Sequence, residues 1–227
     1  MLDNDFPDRY EVHNFGVSGA DTIHVKNIVE KEVLQYEPDI ITVMSFWNYF
    51  LADTAEHEID SIENPFVRFM DKRSTAFFSS HILAYETIYK KLRLKKKVWR
   101  DTLEEIIRLG DSVGATVILV KHFYPLTEKV STTQKLSRFV RGPNEVSLYL
   151  ELSDIVDELS NRYQHVRTVE FPIELMKEIG AVVLAEGRDP FTLQKDGLMF
   201  GGHIHPYAQG NEFIADRIFG VIEDLQE

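Results

Sequence analysis

Three stretches of the 227-residue chain carry side chains whose types and spacing could do chemistry. RLGDSVGATVILV, residues 108–120, sets Ser112 directly after Asp111, and QKDGLMFGGHIHP, residues 194–206, sets His203 and His205 two apart with Asp196 upstream. VHNFGVSGADT, residues 12–22, is a turn-like stretch with Gly16 and Gly19 ahead of a helical pattern. A serine hydroxyl, an imidazole and a carboxylate can together run acyl transfer, the imidazole taking the hydroxyl's proton and returning it to the leaving group. The His-x-His pair also admits a metal reading, with Asp196 or His122 as a further ligand. The chain has no cysteine, which removes thiolate ligands, disulfides and thiol nucleophiles.

These groups act only if the fold brings them to one edge of a sheet. Four short apolar runs read as strands: YEVHNF (10–15), DIITVMSF (39–46), ATVILVKHF (115–123) and HVRTVEF (165–171). Helical patterns separate them: DTIHVKNIVEKEVLQY after the first, VWRDTLEEIIRLGDSV before the third and EVSLYLELSDIVDELSNRY before the fourth. Strands alternating with helices, two of them almost wholly apolar, predict a doubly wound, flavodoxin-like α/β protein with a parallel sheet covered on both faces. In such a fold a nucleophilic serine belongs after a strand and before a helix, at the carboxyl edge. The order around Ser112 is the reverse, helix first and strand second, so Ser112 falls at the amino edge and is rejected as the nucleophile.

One domain spanning 1–227 is expected, with 51–98 as an insertion longer than a simple crossover needs. Within it Phe78, Ile82, Tyr85, Ile88, Tyr89 and Leu92 fall at helical spacing, either as core or as the wall of an acyl or aromatic pocket. A long loop is expected over 126–143. The net charge of −12 argues against nucleic acid as a partner. KKLRLKKKVWR, residues 90–100, runs the other way with seven basic residues, and reads as a solvated helix face or the seat of an anionic partner or a membrane surface. No apolar run is long enough to span a bilayer, and the first residues lack the features of a signal peptide, which points to the cytoplasm if Met1 is the natural start.

Taken together, three segments resemble the SGNH/GDSL hydrolases, a superfamily of lipases and esterases. VHNFGVSGADT is similar to their second motif, a strand followed by Asn-x-Gly-x-x-Gly. EPDIITVMSFWN (37–48) is similar to the third, a buried strand ending in asparagine. HIHPYAQGNEFIADRIF (203–219) resembles the last, a His-Pro followed by a glycine and an amphipathic terminal helix. The resemblance implies a three-layer α/β/α fold and hydrolysis of acyl or acetyl esters on small molecules, carbohydrates or lipids through an acyl-enzyme. It implies His205 as general base and the Gly19 amide and Asn48 side chain as oxyanion donors, with no cofactor or metal. Preorganised amides at that point stabilise the charge of a tetrahedral intermediate.

The sequence departs from the family pattern in three places. The strand leading into Gly-Asp-Ser should lie several tens of residues ahead of the second motif, yet eleven residues precede Val12, so no nucleophile is identified. The chain is therefore expected to continue upstream of Met1. Otherwise the strands at 10–15 and 39–46 close up into a non-catalytic relative, or Ser18 or Ser45 serves. The orienting carboxylate three residues before His205 is replaced by Gly202, leaving Asp196 as the nearest that could reach back. The third motif reads Phe46-Trp47-Asn48-Tyr49 where the family has Gly-x-Asn-Asp.

Overall fold

In the computed structural model the described residues are 10–17, 20–45, 95–123, 125, 126, 145–185, 206 and 208–225. The chain order is helix α1 (Thr22–Lys31), a 3-10 turn (Val33–Tyr36), strand β1 (Ile40–Val43), a helix α2 described over 95–112, and strand β2 (Thr116–Val120). Helix α3 (Glu145–Arg162), strand β3 (Val166–Val169), helix α4 (Ile173–Ala185) and helix α5 (Ala208–Asp224) follow. The three strands form one parallel sheet in the order β1-β2-β3. Val117 stands in register between Ile41 and Val166, and all three side chains are buried. Crossovers through helices are what parallel pairing requires, and the expected α/β class is the one observed.

Each element has a local cause. Asp21 caps α1, its carboxylate accepting the His24 backbone N–H at 2.9 Å, which satisfies one of the donors a helix start leaves open. Glu37, at φ +48°, ends the 3-10 turn in the left-handed region. Helix α2 stops at Gly114, whose φ of +76° suits a residue without Cβ, while the Gly114 and Ala115 N–H groups bond to the Asp111 and Gly110 carbonyls. Gly110 lets α2 approach β2, since a Cβ there would stand 2.5 Å from Val117 Cγ2. Helix α3 turns Tyr149, Leu152, Val156 and Leu159 into the core at spacings of three and four.

The faces of the sheet are set by alternation along the chain. Beyond β3, Glu170 reaches Lys121 and through it Asp157 on α3, whereas the next residue, Phe171, packs on Phe213 of α5 with ring centroids 6.0 Å apart. Helices α3 and α5 thus cover opposite faces. Ion pairs tie α1 to α2 (Lys26–Glu105) and α2 to α3 (Arg100–Glu158) along the first of them.

One expected strand is absent. Residues 10–15 lie outside any ladder: Tyr10 meets Phe219 of α5 edge-on, and His13 and Phe15 pack on Tyr36. The apolar side chains of this stretch are spent on rings of neighbouring elements, and Val12 stays exposed. A strand needs a partner, and among the described residues β1 has a neighbour on one side only. Helix α4 had no counterpart in the sequence reading. Most of the 51–98 insertion and the loop expected at 126–143 fall on residues 51–94 and 127–144, outside the described ones.

Candidate active site

In a parallel sheet the strands end together, and their carboxyl ends form the edge where doubly wound proteins place their chemistry. At that edge β1 delivers Ser45, β2 delivers Lys121, His122 and Phe123, and β3 delivers Glu170 and Phe171. The first turn of α1 is pinned there: Thr22 Oγ1 lies 2.7 Å from Ser45 Oγ and also donates to the Ser45 carbonyl at 3.3 Å. Trp99 of α2 donates its indole N–H to the same carbonyl at 2.8 Å. Thr22, Ser45 and Trp99 are all buried, so this is a closed polar knot that fixes α1 and α2 on the end of β1.

Lys121 is 5% exposed at the end of the central strand, with Nζ 2.6 Å from Asp157 Oδ1 and 2.7 Å from Glu170 Oε1. Two carboxylates around one buried ammonium satisfy the charge that burial would otherwise penalise. Beside it His122 has a buried Nδ1, and burial pushes the imidazole down to about 4, so the ring is neutral at physiological pH. Phe123, Phe171 and Phe213 close the other side of the edge, with centroids 4.9 to 6.0 Å apart.

Gly19, Asn48, Asp196, His203 and His205 lie outside the described residues, as does Ser18. The described neighbour of His205 is Pro206, whose carbonyl accepts the Asn211 side-chain amide at 3.5 Å just ahead of α5. Ser112 sits in the last turn of α2 before β2, at the amino edge, and its hydroxyl donates to the Leu109 carbonyl at 2.6 Å. Ser45 is at the carboxyl edge, but its hydroxyl is engaged by Thr22 and buried. Among the described residues no group of three or more His, Asp or Glu is placed to hold a metal ion.

Three of the four described cations of the basic cluster, Lys96, Lys97 and Arg100, pair with acids. Lys96 bonds Glu151 and Arg100 bonds Glu158 at 2.6 Å across a groove between α2 and α3 also lined by Lys97, Asp154 and Ile155, while Lys97 bonds Asp101 one turn along α2. These cations face carboxylates of α3 and of their own helix, as on a solvated helix surface.

One further pair of titratable side chains stands at the start of α1. His24 Nδ1 lies 2.8 Å from Asp21 Oδ1, the oxygen that also caps α1. Burial would raise the Asp21 carboxyl, but the backbone N–H and side chain of His24 outweigh it and hold the group below its ordinary value. The signal was available: an Asp followed three residues later by His at a helix start places both on one turn.

No protein-family model matches the chain, and no curated protein matches it. Among solved structures it is similar to the crystal structure of an acetyl xylan esterase, AlAXEase, at 15% identity, covering 97% of this chain and 88% of that one with a TM-score of 0.58. At that identity the likeness is one of fold.

Proposed function

We propose that the protein is an ester hydrolase of the SGNH/GDSL type, acting on acyl or acetyl esters of a small molecule, a carbohydrate or a lipid. The observation that carries this reading is the fold likeness to an acetyl xylan esterase over 97% of the chain, in a chain whose motifs independently resemble that superfamily. In this reading His205 is the general base, the Gly19 amide and the Asn48 side chain stabilise the oxyanion, and Asp196 orients the imidazole.

The test is turnover of a short-chain nitrophenyl ester by the purified chain. Loss of turnover in His205→Ala, and labelling by a serine-directed phosphonate mapped by mass spectrometry, are the expected results. Unchanged turnover in His205→Ala would remove the assigned base. A second reading, a binding protein that keeps the fold without the chemistry, is favoured by one observation: the described edge serine, Ser45, is bonded to a threonine hydroxyl. Absence of both turnover and labelling would select it.

A further inference from the structure

We propose that Thr22 and Ser45 are positioning residues for the oxyanion hole, a buried hydroxyl clasp that sets the distance between the two chain segments carrying its donors. The inference rests on the ester-hydrolase reading and adds to it the pair that holds the Gly19 and Asn48 segments together.

Chain connectivity brings the clasp to the donors. Gly19 stands three residues before Thr22, and Asn48 three residues after Ser45. Three residues of extended chain reach about 10 Å at most. One donor segment leads into α1 and the other leaves β1, and these segments meet at Thr22 and Ser45, 23 residues apart in sequence. An oxyanion hole works when its donors are fixed before charge develops, and a misplacement of about 1 Å costs on the order of 100-fold in rate.

The clasp is bonded in both directions. The Thr22 hydroxyl donates to the Ser45 carbonyl at 3.3 Å, which uses its one hydrogen, so the 2.7 Å contact between the two hydroxyls is made by the hydrogen of Ser45. Thr22 is 0% exposed and Ser45 7%, so water does not compete for either bond. Two apolar side chains of the same shape would be nearly as stabilising, but their contact has no direction and tolerates sliding. What the hydroxyls add is placement. Trp99 bonds the same carbonyl from α2 at 2.8 Å, fixing the β1 side. On the other side Asp21 caps α1, and the Ala20 N–H bonds the Val17 carbonyl at 3.2 Å, a contact that brackets Gly19 in sequence.

The test compares hydrolysis of p-nitrophenyl butyrate with that of its thionoester, in which sulfur, a weaker acceptor, replaces the carbonyl oxygen. The chains are the parent, Thr22→Val, Ser45→Ala, Thr22→Ser and His205→Ala, each assayed where circular dichroism shows it fully folded. Thr22→Val keeps the side-chain shape and loses both bonds, Ser45→Ala loses one, and Thr22→Ser keeps both. On the oxygen ester kcat should fall roughly 10- to 100-fold in Thr22→Val, less in Ser45→Ala, and stay within about 2-fold in Thr22→Ser. KM should hold steady, because the hole acts on the transition state. The ratio of oxygen-ester to thionoester rates should shrink in the same order. Loss of folded protein would lower both rates equally and leave that ratio unchanged, so an equal fall on the two substrates would overturn the clasp. If Thr22→Val does not fold, Ser45→Ala against Thr22→Ser carries the comparison. Parent-like kcat and ratio in Thr22→Val, with turnover lost in His205→Ala, would overturn the clasp and leave the hydrolase reading standing. A parent without turnover would overturn both.

Discussion

The indole N–H of Trp99 donates to the carbonyl oxygen of Ser45 at 2.8 Å, which joins the amino-terminal part of α2 to the end of β1 where the candidate site begins. Trp99 is 1% exposed, so the bond is dry, and the same carbonyl takes a longer bond from Thr22. Replacing the indole by a phenyl ring deletes a donor and leaves a small void. We expect Trp99→Phe to lower the unfolding free energy by about 1–3 kcal/mol, read from the urea midpoint by circular dichroism. Thr22→Val alone should cost less, and the double variant more than the sum, because the carbonyl then loses both donors. A Trp99→Phe chain as stable as the parent would mean that this contact holds nothing together.

Lys121 makes a different kind of prediction, because its two partners are far more exposed than it is. Losing either carboxylate leaves the ammonium one partner; losing both leaves a buried charge alone. Asp157→Ala and Glu170→Ala should each cost about 1–2 kcal/mol, and the pair together about 3–5 kcal/mol. Lys121→Met keeps the buried stem and frees two carboxylates that water can solvate, so it should be milder than the double variant. If Lys121→Met proves the most damaging of the set, the ammonium does more than balance its neighbours.

Acid should weaken the fold in two windows. Burial holds His122 at about 4 against an ordinary value of 6.5, so between those pH values the unfolded chain binds a proton that the folded chain does not. The stability tied to the neutral ring is full above about 6.5 and is lost as the pH falls toward 4. Glu104 supplies the second window. The Tyr163 hydroxyl, bonded at 2.6 Å, is the main cause that holds its carboxyl below the ordinary 4.5; burial opposes this, and Arg108, Arg162 and Arg100 reinforce it. Its contribution is present above about 4.5 and lost as the pH falls through the folded value. Denaturant midpoints should therefore fall from neutral pH downward, with the Glu104 share removed in Glu104→Gln. The His122 ring resonances should stay flat between pH 5 and 8, and a full titration there would contradict its burial.

What the sequence made legible follows from which forces are local. Apolar runs and helical spacing located β1, β2 and β3 and placed Leu103, Ile106 and Ile107 of α2 in the core, because burial of a face leaves a period in the chain. Val113, read in the same register, is exposed beyond the end of α2. YEVHNF looked like a strand by composition, but a strand is a pairing, and nothing within six residues states whether a partner exists. Helix α4 was missed although Pro172, Glu174 in the first turn and buried Met176 mark it, because PIELMKEIGAVVLA is apolar on several sides and its stripe is blurred. At the site, the resemblance pointed to the carboxyl edge. The Thr22–Ser45–Trp99 knot and the Asp21–His24 bond depend on which side chains meet, which spacing alone does not fix for residues as far apart as 45 and 99.

The most conspicuous serine of the sequence yields the last prediction. Ser112 follows Gly110-Asp111, yet α2 precedes it and β2 follows, so it stands at the amino ends of the strands while the candidate site stands at their carboxyl ends. Its hydroxyl is spent on the Leu109 carbonyl one turn back, a bond that trims a helix end and presents no lone proton acceptor beside it. The nearby imidazole, His165, faces the Ile107 carbonyl with Nε2 at 3.2 Å and Asp111 with Nδ1 at 3.4 Å, so both of its nitrogens are turned to groups other than Ser112. Ser112→Ala should accordingly leave ester turnover at the parent level and change stability by no more than about 0.5–1 kcal/mol, the worth of one exposed hydrogen bond. A phosphonate that labels the parent should label Ser112→Ala equally well. An adduct mapped to Ser112, or turnover lost with that hydroxyl, would move the active site to the opposite edge of the sheet and take the His205 assignment with it.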